Sequence, residues 1–220
     1  MKKTKQISDT LLIGSLLAVV GGFLDAYTYL CRDHVFANAQ TGNIVLLGIN
    51  LIEGQFLKSL YYFIPIISFA LGIVVAEMIR HHFFTHPRIH WRQLVILLEI
   101  LIILGVSLLP QTYNMVCNSL VSFVCSLQVQ SFRKFHGNPY ASTMCTGNLR
   151  SAMEHFYMYM KTKEKDSLIK SLQYHIIIVC FIVGAAIGAI TVQFFNIQAT
   201  YLAVIILIIV ILFMFVHREG

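Results

Sequence analysis

Six predominantly apolar stretches, each close to the length of a membrane-crossing helix, dominate this chain: residues 11–30, 59–79, 93–109, 115–132, 172–192 and 199–216. A helix crosses a hydrocarbon core of roughly 30 Å with about 20 apolar residues, range about 17–25. In lipid every backbone polar group must be paired internally, and helices of that length do so. Composition agrees. Of 220 residues, 57% are hydrophobic and 12% charged, and mean hydropathy is +0.74. A soluble domain is roughly 45–50% apolar and about 25% charged. So few charges cannot cover a soluble globule, which excludes an ordinary soluble enzyme, a nucleic-acid reader and a disordered chain.

Two further apolar segments are too short to cross. Residues 41–52 reach only about 18 Å at 1.5 Å per residue, and residues 146–153 run into the polar Glu154-His155. The Lys/Arg excess of cytoplasmic loops chooses between six and eight spans. Six spans place 14 of the 16 Lys and Arg on one side and leave Arg32 and Lys58 on the other; eight spans split them at best 10 against 6. The net charge of +6 is then an inside label, with both termini cytoplasmic. Met1-Lys2-Lys3-Thr4-Lys5 before an apolar run resembles a signal peptide. The run is long, carries Asp25 and has no small-x-small cleavage site, so it reads as an uncleaved first span.

The short segments share a motif, Thr41-Gly42-Asn43 and Thr146-Gly147-Asn148. Downstream, Leu57-Lys58-Ser59-Leu60 matches Ile169-Lys170-Ser171-Leu172, and the register continues through Tyr62/Tyr174, Phe69/Phe181 and Gly72/Gly184; upstream, Asp25 aligns with Gln130. The extra seven residues of the second copy fall in the charged, loop-like region 161–166. Each half, 1–110 and 111–220, reads as span, short Thr-Gly-Asn segment, span, span. Three spans are odd in number, so the halves have inverted topology, a pattern of many transporters. The expected fold is all-α: one membrane domain of six transmembrane helices plus two re-entrant helices.

Thr is a good N-cap, so each short helix is expected to start at Thr41 or Thr146. Unpaired N–H groups and a partial positive charge at a helix start suit an anion or a polar neutral solute. The blander alternative is that Thr-Gly-Asn only caps two packed helices, with Gly allowing close contact. The pathway candidates are Asp25, Asn38, Gln40, Thr41, Gly42, Asn43, Gln130, Thr146, Gly147 and Asn148. Intramembrane ionisable residues are functional candidates by default. Asp25 lies near the outer end of its span, and Glu99 is a second candidate, for an ion or proton relay, too far from Asp25 for direct contact. Glu77 beside Arg80 reads as an interfacial pair, and His175 as a satisfied interface histidine. The loop 80–92 is His-rich, but Pro87 breaks the spacing of His82, His86 and His90. It suits anionic lipid better than a metal. The five cysteines show no zinc or CxxC spacing, and Cys117, Cys125 and Cys180 read as small hydrophobes. No nucleophile–base pair or phosphate loop stands out, so no catalytic residue, metal or cofactor is expected.

Gly22-Phe23-Leu24-Asp25-Ala26, Val35-Phe36-Ala37-Asn38 and Thr41-Gly42-Asn43, followed by the second signature from Thr143 to Leu149, resemble the YoaK-like family of bacterial membrane proteins, a domain of unknown function. The resemblance covers nearly the whole chain. It implies a six-span protein of the bacterial cytoplasmic membrane and carries over no catalytic residues.

The expectation is therefore an integral membrane protein, not an enzyme, moving a small anionic or polar neutral solute between the two half-helices. An intramembrane or lipid-modifying enzyme using Asp25 or Glu99, and a non-catalytic assembly or sensor protein, are the rivals. The expected partners are the lipid bilayer and an unidentified small solute, with homo-oligomerisation left open and no nucleic acid.

Overall fold

The computed structural model describes residues 7–84 and 90–216. It contains eight α-helices: α1 Leu11–Cys31, α2 Gln40–Ile52, α3 Phe56–Phe83, α4 Trp91–Leu108, α5 Asn114–Ser131, α6 Cys145–Thr162, α7 Lys165–Phe195 and α8 Thr200–Val216. A hairpin of two short strands, β1 Lys134–Phe135 and β2 Asn138–Pro139, follows α5. His136 and Gly137 turn it with positive φ, the conformation a two-residue hairpin demands.

Among the described residues four stretches are long and apolar enough to cross a membrane: α1, α3, α4, and Lys165–Val216, which contains α7 and α8. Helix α5 has the length, at 18 residues, but it is less apolar, carrying Asn114, Asn118, Ser122, Ser126 and Gln128. Those side chains are all buried against neighbouring helices, so the polar helix is sheltered by protein.

Four helices supply most of the main core: Leu17, Leu24 and Tyr27 of α1, Ile96 and Ile103 of α4, Val121 and Val124 of α5, and Leu207 and Val210 of α8. The other four form two flanking pairs. Helix α2 packs on α3, which packs on α5; α6 packs on α7, which packs on α1. The long flanking helices bury few residues. Helix α3 buries Ser59, Pro65, Gly72 and Ala76; α7 buries Ser171, Tyr174, Ile177, Gly184 and Gly188. The four positions of α3 each fall 112 residues before a buried position of α7. The remaining surface of both helices is largely Leu, Ile, Val and Phe, as expected of faces turned to lipid.

The structure corrects three local expectations. Neither threonine caps its helix. Helix α2 begins at Gln40 behind Ala39 and α6 at Cys145 behind Met144, and neither cap residue makes a side-chain capping bond. The second short segment is an 18-residue helix, more than twice the apolar run, because its polar half keeps a helical pattern. Region 161–166 is mostly helix, with only Lys163 and Glu164 between α6 and α7. Lys and Glu are good helix formers, and Lys170 closes an i, i+4 ion pair with Asp166 at 2.6 Å. Of the His-rich loop, residues 85–89, including His86 and Pro87, lie outside the described residues.

Candidate functional site

Asp25 sits in α1, 7% exposed. The α1–α2 loop folds back over it, and the Asn38 backbone N–H donates to Asp25 Oδ1 at 2.8 Å. The Asn38 amide donates to the Gly21 carbonyl at 3.0 Å. Gly21 and Gly22 make room for the other half of the chain. A β-carbon at Gly21 would lie 2.5 Å from the Thr143 methyl, and one at Gly22 would strike the Phe181 carbonyl of α7. Residues just before α2 and just before α6 therefore meet the same stretch of α1. Cys125 of α5 is buried in the same core as Leu24 of α1 and Ile100 of α4, the sequence neighbours of Asp25 and Glu99.

The two Thr-Gly-Asn motifs share one internal geometry. The Asn43 amide donates to the Phe36 carbonyl at 2.7 Å, seven residues back. The Asn148 amide donates to the Ala141 carbonyl at 2.7 Å, also seven residues back, and its oxygen accepts the Ala141 N–H at 3.3 Å. Both asparagines are buried, whereas Thr41, Thr146 and Gly147 are exposed and Gly42 is half-buried. Gln40 bridges inward, donating to the Ala37 carbonyl at 2.7 Å and to Ser122 of α5 at 3.4 Å.

Gln130 does not join this centre. Its amide bonds Glu77, which also pairs with Arg80 at 3.3 Å and lies 3.9 Å from Arg133. A basic cavity of about 690 Å³, lined by Arg80, Arg92, Arg133 and Lys134, opens there. The Glu77–Arg80 pair is as expected, and His175 is satisfied by the Ser171 carbonyl at 2.9 Å. A separate cavity of about 360 Å³ opens at the start of α6, bordered by Met144, Gly147, Asn148 and Arg150. Tyr140 lines it too; burial pushes its phenol above the ordinary tyrosine range.

Arg32 was read as an outer-loop charge and is instead fully buried. It donates to Tyr27 Oη at 2.8 Å, Asn114 Oδ1 at 3.1 Å, and the Val106 and Leu109 carbonyls at 3.1 and 2.9 Å. Those carbonyls end α4, where unpaired C=O groups and the negative end of the helix dipole favour a cation. Asn118 in turn donates to the Arg32 carbonyl at 2.7 Å. The polar spacing Asn114, Asn118, Ser122, Ser126 in α5 was a legible signal for this network, since residues four apart share one helix face.

The helices, their apolar outer faces and their sheltered polar centre define a helical membrane protein. The chain belongs to the family described as Protein of unknown function (DUF1275), whose pattern matches residues 13–213. It is similar to the UPF0700 transmembrane protein YoaK of Bacillus subtilis (strain 168), 26% identical over 181 residues, which cover 80% of each chain. No solved structure matches it.

Proposed function

We propose that this is a six-span, inverted-repeat protein of the bacterial cytoplasmic membrane, with both termini inside, that moves a small polar solute past Asp25 between the starts of α2 and α6. The observation that carries the reading is the convergence on one stretch of α1: Asn38 binds Asp25 and Gly21 from one side, and Thr143 packs on Gly21 from the other. Matched burial in α3 and α7 and matched Asn43 and Asn148 geometry support the repeat. Helix α5 is the sixth span, its polar face turned to protein.

The Asp25 carboxylate already takes the Asn38 N–H that a bound anion would use, which favours a neutral solute over an anion. The described geometry is a closed state, because Asp25, Asn38 and Asn43 are buried.

Light-scattering swelling of proteoliposomes in urea, glycerol or sodium formate tests the activity. Protein-dependent entry of urea or glycerol, slower for formate and lost in D25N, is expected; no protein-dependent entry of any of the three would overturn it. Topology is read separately with a membrane-impermeant maleimide on E53C and E164C, relative to the wild-type chain. Labelling from opposite faces is expected, and labelling from the same face would sink the inverted repeat.

The second reading is a non-transporting assembly or sensor protein. The Asn43 and Asn148 amides favour it, since each staples its own loop. It predicts opposite-face labelling without any flux.

A further inference from the structure

Glu99 is 0% exposed, and neither carboxyl oxygen has a hydrogen-bond partner. A carboxylate buried without a donor is severely penalised, and natural structures avoid it. Something must supply the missing donor. Zero exposure leaves no void large enough for a water or a larger solute beside Glu99. A proton occupies no such volume.

The surroundings point the same way. Asn38 Oδ1, on a residue 5% exposed whose N–H binds Asp25, also has no partner. Among the described residues no hydrogen-bond donor, charged or neutral, reaches the Glu99 carboxyl. Helix α5, which packs on α4, carries no cation, and its titratable side chains are Cys117 and Cys125. Helix α8, which also packs on α4, has Tyr201 as its single titratable side chain. The nearby charges of α3 are Glu77 and Arg80, which pair with each other.

We infer that Glu99 is the seat of a buried, exchangeable proton. The step is simple protonation: a carboxylate oxygen takes H⁺ from water and returns it when the site opens. The site holds its proton whether or not the protein moves a solute, so this inference stands apart from the transport reading.

Infrared spectroscopy of the full chain in phosphatidylcholine membranes tests it, comparing wild type, E99Q and D25N in H₂O and D₂O. Wild type should show a protonated-carboxyl C=O band that is lost in E99Q. The band should move to lower frequency in D₂O, fade as pH is raised and persist in D25N. Superimposable wild-type and E99Q spectra would overturn the inference, and so would a band that neither exchanges nor titrates. If E99Q fails to fold, dicyclohexylcarbodiimide is applied to wild type and the adduct located by mass spectrometry. Modification of Glu99 that declines at alkaline pH supports the inference, and its absence at every pH overturns it. Solute swelling measured on the same preparations separates a failed pathway from a failed proton site.

Discussion

Gly184 of α7 lies so close to Val19 of α1 that a β-carbon on the glycine would strike the Val19 carbonyl oxygen. Gly72 of α3 meets α5 in the same way, its missing β-carbon facing Ser126 and lying 2.6 Å from the Phe123 carbonyl. Small residues let helix backbones approach closely in lipid, where packing rather than hydrophobic transfer drives association. Each of the long flanking helices, α3 and α7, is thus fastened to the core through a glycine that cannot grow.

G184A is expected to destabilise the protein by about 1–3 kcal/mol, the usual cost of overpacking. The obstacle is backbone, so no side chain can swing away. G48A is the control: a β-carbon there meets nothing within 4 Å, and Ala gains up to about 1 kcal/mol of helix propensity over Gly. Thermal unfolding in detergent should rank G48A at or above wild type and G184A well below it.

Removing Arg32 should be costlier. R32A strips the end of α4 of its cation and leaves Tyr27, Asn114 and two carbonyls without their donor. At about 1.5–3 kcal/mol for a hydrogen bond to a charged group, the total loss is at least about 3 kcal/mol. R32K should recover only part of it, because an ammonium lacks the planar fork that spans several acceptors. Unfolding midpoints in the order wild type, R32K, R32A check the assignment; equal midpoints for the two variants would show that shape, not charge, matters there.

N43A and N148A each leave a loop carbonyl without its donor and should cost about 1–3 kcal/mol. Their bonding partners are entirely different, so the double variant should be additive within about 0.5 kcal/mol. Limited proteolysis should open the 32–39 loop in N43A and the 136–144 loop in N148A.

Tyr140 offers a test of opposite sign. Its hydroxyl is buried with no hydrogen-bond partner, so Y140F should be neutral or up to about 1 kcal/mol more stable. Its phenol is held above the ordinary tyrosine value of about 10. The unfolded chain therefore ionises first as pH rises. Stability that is fully present below about pH 10 is lost above it, and Y140F should lose less over that interval in pH-dependent melts.

Much of the architecture was legible. The six apolar stretches correspond to α1, α3, α4, α5, α7 and α8, and the short 41–52 segment corresponds to α2. Apolar runs and helical periodicity are local properties. The threonine caps failed because capping depends on where the preceding loop runs, and both loops are held instead by Asn43 and Asn148. Arg32 was misplaced because its position next to Asp33 and His34 reads as a loop, while its burial depends on the distant ends of α4 and α5.

By itself the sequence determined that this chain lies in a membrane, because lipid demands long apolar helices whatever their arrangement. It also marked Asp25, Glu99 and the paired Thr-Gly-Asn motifs, since polar groups in apolar runs are costly enough to stand out. Only the tertiary structure decided that Asp25 is bound by Asn38, that Gln130 stays with Glu77, and that Glu99 is left without a donor. Those outcomes depend on which helices meet, and helix meetings here are set by single glycines whose partners lie far away in sequence.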